Sequence, residues 1–208
     1  MKKIAITGGI GSGKSSVCEI LKKHGYCVWD ADVFARDVLF LPEVADSVKL
    51  LFGKNVFLEK GQLDRQLVRK RVFDDASLKE KLENILHPAI AQLFAKKVVE
   101  LECLSPTAWI FYEAALILEK NKKQHFDACV VVTAHKDMRA NRILKSRNVG
   151  QDEFEKMMNA QMSDEEKKAQ ADYVIENHGD LEDLEVQTQQ ALYFLYKKFR
   201  DKKPTPPQ

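Results

Sequence analysis

Gly8-Gly9-Ile10-Gly11-Ser12-Gly13-Lys14-Ser15 fits the pattern Gly-x-x-x-x-Gly-Lys-Ser/Thr, and no other stretch limits the fold as much. Such a loop works only between a strand and a helix. The glycines let the backbone wrap an anion with its N–H groups turned inward, and the helix that follows aims the positive end of its dipole at the same point. The flanks meet that demand. Lys3 to Thr7 is a short, mostly apolar run of the kind a buried strand shows. Val17, Ile20, Leu21 and His24 fall at i, i+3, i+4 and i+7, one face of a helix, and Gly25 stands where a C-terminal cap belongs. Tyr26 to Trp29 predicts a second strand, ending at Asp30-Ala31-Asp32. Strand, loop, helix, strand is a βαβ unit with parallel strands.

The loop has a definite chemistry. Backbone N–H groups from Gly11, Ser12, Gly13, Lys14, Ser15 and Ser16 are placed for phosphate oxygens, Lys14 adds a point charge at the β- and γ-phosphates, and the Ser15 hydroxyl is the ligand for nucleotide-bound Mg²⁺. This predicts nucleotide binding without fixing a reaction. A switch GTPase needs Asp-x-x-Gly, and none of the nine glycines has an Asp three residues before it. Asn121-Lys122-Lys123-Gln124 lacks the aspartate of a guanine-reading Asn-Lys-x-Asp, and no apolar run ends in Asp-Glu as a motor ATPase would require. A small-molecule kinase remains.

Beyond residue 33 the texture turns helical. Asp64 reads as an N-cap ahead of Leu67, Val68 and Val72, and Leu78, Leu82, Ile85 and Leu86 form a further apolar stripe. Ala108–Tyr112, Ala128–Thr133 and Tyr173–Glu176 read as strands. Lys136–Arg147, Gln151–Lys168 and the stretch from Leu181 to Phe199 read as helices. Five strands separated by helices predict a three-layer α/β fold with a mostly parallel sheet and a ligand at the carboxyl ends of its strands. The expected division is a nucleotide-binding core (1–32, 104–135, 169–202), a helical insertion (33–103), a lid (136–168) and a disordered tail (203–208).

Composition removes other classes. With 33 Lys+Arg against 31 Asp+Glu in 208 residues, no bulk charge favours nucleic acid or an anionic membrane. No apolar run approaches the ~18 residues of a membrane span. Gly8 comes too early for a signal-peptide core. Cys18, Cys27, Cys103 and Cys129 are scattered with no Cys-x-x-Cys pair, which argues against zinc and against a secreted disulfide framework. A reduced, cytoplasmic protein is expected; the sequence leaves oligomeric state open.

Asp30 and Asp32 lie two apart at the end of the second strand, on one face if the chain stays extended. A kinase acting on an alcohol needs a carboxylate there to orient the hydroxyl and take its proton. Asp32 equally suits the N-cap of a helix starting near Val33, and the two roles are compatible.

At this point the chain resembles the dephospho-CoA kinase family, which phosphorylates the ribose 3′-hydroxyl of dephospho-CoA with ATP in the last step of coenzyme A biosynthesis. The resemblance rests on Ile6–Ser15, on Asp30-Ala31-Asp32 with Ala35-Arg36, and on Gly61-Gln62-Leu63-Asp64-Arg65 and Leu86-His87-Pro88-Ala89-Ile90. It closes with Ala171-Asp172-Tyr173-Val174-Ile175-Glu176-Asn177. These follow in family order from Thr7 to Gly179. The resemblance implies a P-loop kinase fold with a helical acceptor-binding insertion and a lid. It makes Asp32 the base for the ribose hydroxyl, Arg36 a contact to the acceptor phosphate, and His87 an acceptor-positioning or structural residue. It puts Glu119 in the acceptor wall and Asn177 on the nucleotide side. His87-Pro88 also reads as a helix start with proline just inside. Ala115 and Leu118 replace the proline and phenylalanine of the family's Pro-Leu-Leu-Phe-Glu.

Counting back from Gln161, Arg142 falls on a family lid arginine; Ser146 holds the place of the second, with Arg147 one position on. On a helix Arg139, Arg142 and Ser146 share a side. A charged face of this kind is ordinarily solvated. After a triple-valine strand in a kinase it predicts a lid, with Arg142 and then Arg139 neutralising the phosphoryl group in flight. Two rivals stay open: another small-molecule kinase, for a nucleoside monophosphate or a sugar acid, and a non-catalytic nucleotide-binding regulator.

Overall fold

The computed structural model describes residues 1–58, 62–75, 77–147 and 150–200, without the side chains of residues 65, 73, 146 and 147. Gly61, the tail 203–208 and the side chain of Arg147 therefore lie outside the described residues.

The chain divides into two compact units, Met1–Asp30 with Glu102–Gln208, and Ala31–Leu101. The first holds a five-stranded sheet: β1 (Lys2–Thr7), β2 (Cys27–Asp30), β3 (Trp109–Glu113), β4 (Ala128–Thr133) and β5 (Tyr173–Glu176). Its order is β2-β3-β1-β4-β5, and every neighbouring pair is parallel. The first two strands are parallel as expected, but β3 lies between them. Trp109-Ile110-Phe111-Tyr112 is apolar on both faces and takes an interior position, whereas each residue of β2 is only half-buried and suits an edge.

Helices α1 (Lys14–Lys23) and α9 (Leu181–Phe199) cover one face. Val17, Ile20, Leu21, Leu184, Leu192 and Leu195 pack there on Ile4, Ile6, Phe111, Val130 and Ile175. The alternate residues Ala5, Ile110, Cys129 and Val131 are equally buried, so both faces are covered. The C-terminus of α1 closes as its sequence predicts: Gly25 N–H bonds the Lys22 carbonyl and Tyr26 N–H the Leu21 carbonyl. Helix α6 (Lys136–Arg147) follows β4.

The single helix expected over Gln151–Lys168 is two, α7 (Gln151–Asn159) and α8 (Asp164–Gln170). The Ser163 side chain accepts from Glu166 N–H while Glu166 bonds back to Ser163 N–H, a capping box that starts a new helix.

The second unit contains α2 (Ala31–Asp37), α3 (Pro42–Phe52), α4 (Arg65–Asp74) and most of α5 (Ser77–Leu104). Its core is Val38, Val44, Val48, Phe52, Val56 and Val68, with Leu82, Ile85 and Leu86 packed against it. Asp64 caps α4 as expected, its carboxylate accepting from Gln66 and Leu67 N–H at 3.0 Å each. His87-Pro88 does not start a helix. Pro88 lies inside α5, where its ring removes only one N–H from a ladder that continues on both sides.

Candidate active site

The phosphate loop leaves the carboxyl end of β1, and its first glycines are fully enclosed. At the N-cap of α1, Gly13 has φ 97°, and a Cβ there would lie 2.1 Å from Asn177 Nδ2. Both the backbone angle and the space exclude other residues. Five successive carbonyl oxygens, Gly8 to Ser12, each meet a donor. Lys14 Nζ bonds those of Gly8 and Gly9 at 2.8 and 3.0 Å. Arg139 Nε bonds that of Ile10 at 2.7 Å. Arg142 Nη1 reaches those of Gly11 and Ser12 at 3.3 and 3.4 Å, and Asn177 Nδ2 bonds Ser12 at 2.9 Å. A loop whose carbonyls are turned to cations and amides carries positive potential on its N–H side.

Lys14 itself is largely enclosed. Burial, opposed by the nearby Glu113 carboxylate and reinforced by the cations Lys167 and Arg139, pushes its pKa down to about 8. Ser15 and Ser16 stay exposed, and the Ser15 hydroxyl donates to Glu113 Oε1 at 2.8 Å. Glu113 ends β3 and is a site residue that sequence reading missed. Its signal is weak: an apolar run closing on a single carboxylate rather than on Asp-Glu. Hydroxyl and carboxylate oxygens make a hard donor set that fits Mg²⁺. Cys18, one turn into α1, is buried; burial and then the Glu113 carboxylate push its thiol well up, so it is no nucleophile.

Arg142 is half-buried, and its Nη2 lies 3.4 and 3.3 Å from the Asn177 carbonyl and Oδ1. Asn177, 5% exposed, is pinned in turn by its N–H on the Thr133 carbonyl. Sequence reading thus named a group that comes together: the loop, Arg142 and Asn177. Arg139 is placed differently from a lid residue. It is 2% exposed, with Nη1 on Asp164 at 2.8 Å. Glu119 has a partner the sequence did not suggest. Its Oε1 takes the Lys167 ammonium at 2.9 Å and Met162 N–H at 3.3 Å, and Lys167 is 0% exposed. Replacing Glu119 by alanine leaves that ammonium buried without a counter-ion, and a loss of about 3–5 kcal/mol is expected in chemical unfolding. A loss below about 1 kcal/mol would mean that Lys167 escapes to water.

In the second unit, Asp32 and Arg36 lie one turn apart on α2, both exposed. The N-cap reading of Asp32 is corrected: α2 starts at Ala31 directly after β2, which puts Asp32 inside the first turn. For the same reason Asp30 and Asp32 do not share a strand face. His87 is half-buried in α5. Among the described residues no helix is long and apolar enough to cross a membrane.

A sequence-family model described as dephospho-CoA kinase matches residues 2–183. The dephospho-CoA kinase of Corynebacterium glutamicum is 36% identical over 186 residues, 88% of this chain and 94% of that protein. A solved structure from Thermus thermophilus has a TM-score of 0.79 at 33% identity, covering 93% of this chain and 97% of that one. The dephospho-CoA kinase from Campylobacter jejuni shares the fold, with a TM-score of 0.71 at 23% identity over 95% of this chain and 98% of that one.

Proposed function

Because the chain belongs to the dephospho-CoA kinase family, we propose that its phosphate loop holds ATP and that the ribose 3′-hydroxyl of dephospho-CoA receives the terminal phosphoryl group, giving CoA and ADP. The observation that carries this reading is the polarised loop, with Lys14 and the Ser15–Glu113 pair at its end. Lys14 holds the β- and γ-phosphates, and the amides from Gly11 to Ser16 cradle them. Ser15 and Glu113 are the residues that would hold Mg²⁺ with the nucleotide. When bound, the ion spreads the negative charge of the phosphates. Asp32 orients the acceptor hydroxyl and takes its proton late, as the new O–P bond forms and ADP leaves. Arg36 and His87 serve the acceptor. The cytoplasm suits a protein whose four cysteines are all free thiols.

Coupled ADP release tests the reading. Release that depends on dephospho-CoA supports it; equal release without the acceptor, or with a nucleoside monophosphate or sugar acid in its place, overturns it. Tight ATP binding with no turnover on any acceptor would mark a regulator.

Arg142 touches the Gly11 and Ser12 carbonyls of the loop and Asn177 through contacts of 3.3–3.4 Å, so its charge sits beside the loop that would hold the phosphates. Arg142→Ala is expected to lower kcat about 10²-fold and to leave the KM for dephospho-CoA within about twofold. A change confined to that KM would make Arg142 an acceptor contact instead.

A further inference from the structure

The loop carbonyls face cations, but one loop amide has a different partner. Ile10 N–H donates to Gln161 Oε1 at 2.9 Å, while the Ile10 carbonyl takes Arg139 Nε at 2.7 Å. Both polar groups of this one residue are therefore held by side chains from the segment between β4 and β5. The holders are themselves fixed. Arg139 is bridged to Asp164 at 2.8 Å, and Asp164 opens α8, three residues after Gln161. Ser163, between them, is locked by the capping box. The guanidinium also lies close against the loop: a Cβ on Gly9 would come within 2.0 Å of Arg139 Nη2. In the loop itself, Ser12 N–H to the Gly9 carbonyl at 3.3 Å is a long internal bond, so the span from Gly9 to Ser12 depends on outside partners for its shape.

We infer that Gln161, with the Arg139–Asp164 pair, is a positioning residue for the proposed reaction: it clamps the Ile10 peptide so that the phosphate loop keeps the shape that receives ATP. Gln161 and Arg139 touch loop backbone, Asp164 holds Arg139, and all three act on the nucleotide only through the loop. The effect falls on the nucleotide and spares the acceptor. The break between α7 and α8 is what makes it possible, because a continuous helix would carry Gln161 on a regular turn with no capped start for Asp164 beside it.

The inference rests on the kinase reading, and the two fail separately. ADP affinity by titration calorimetry tests the clamp without turnover; turnover of the parent chain tests the reading. Gln161→Leu removes the acceptor oxygen at similar size. It is expected to weaken ADP binding and raise the KM for ATP about tenfold, the effect of one lost hydrogen bond to a half-buried amide. The KM for dephospho-CoA should stay within about twofold. Gln161→Glu retains an acceptor oxygen and should restore ADP affinity to within about threefold of the parent. Asp164→Asn, which loosens Arg139 from the other end, should shift the same two quantities in the same direction. Unchanged ADP affinity in Gln161→Leu overturns the proposal. So does an equal rise of both KM values, or a glutamate variant as weak as the leucine one. Failure of both Gln161→Leu and Asp164→Asn to fold would assign these residues to the fold alone and overturn it as well.

Discussion

Lys14→Ala is expected to lower turnover about 10³-fold or more, while the nucleotide-free protein melts no lower than the parent. The two halves have one cause. Lys14 is held among loop carbonyls where burial disfavours its charge, and its pKa falls from the ordinary 10.5 to about 8. A group that protonates less readily folded than unfolded makes stability rise with pH, here between about 8 and 10.5. Below about 8 the buried ammonium opposes folding to its full extent, and alanine removes that opposition. A bound triphosphate reverses the balance by giving the ammonium its counter-charge. ATP binding should therefore take up protons near pH 8, and the KM for ATP should climb as pH passes that value. Calorimetry in buffers of different ionisation enthalpy reads the proton uptake. Near-parent activity in Lys14→Ala with normal melting would remove Lys14 from the phosphate site.

Asp32→Asn should reduce kcat by about 10²–10⁴-fold, the usual worth of a positioned general base. ADP affinity should hardly move, because the nucleotide cradle proposed above consists of the loop with Arg142 and Asn177 against it, and Asp32 is not among its contacts. Stability should stay within about 1 kcal/mol, the contribution of an exposed carboxylate in a first helical turn. Asparagine keeps the size and can still accept a hydrogen bond, so the substitution isolates the proton-accepting role. Asp30→Asn, at the end of β2, is the matched comparison and should be the milder change. Full activity in Asp32→Asn would pass the role to Asp30.

The parts of the fold that could be read in advance are those set by local periodicity and local chemistry. Ala128–Thr133, Lys136–Arg147 and Tyr173–Glu176 match the observed elements because an apolar triplet or a 3.6-residue stripe is written in the segment itself. Sheet order was not legible. Placing β3 between β1 and β2 depends on which strand has two apolar faces to hide, and that is settled by competition between segments far apart in the chain. The Ser163–Glu166 cap is written in the sequence and forms in the fold, but it lies inside a run of helix-favouring residues that reads as one helix. Within the site, the loop is a contiguous motif and was therefore visible. Glu113, Gln161, Asp164 and Lys167 reach it from three other segments, and no spacing rule links a glutamine at 161 to an amide at 10. Arg139 was singled out for its charge. Its burial follows from a carboxylate 25 residues later that only the folded chain brings beside it.

The interior position of β1 sets an order of events for the chain as it is made. Lys2 pairs with Trp109 and Ile4 with Ala128, so the first strand to leave the ribosome has no partner until more than half the protein has followed. Ala31–Leu101 has its own core and can collapse on nearer contacts in the meantime. Long-range pairing of this kind makes folding slow, and an unpaired apolar strand is open to association with other chains while it waits. A nascent chain that stops short of Thr133 thus carries a complete Gly8–Ser15 segment without Arg139, Arg142, Gln161 and Asn177, the side chains that hold Ile10, Gly11 and Ser12 in the finished fold.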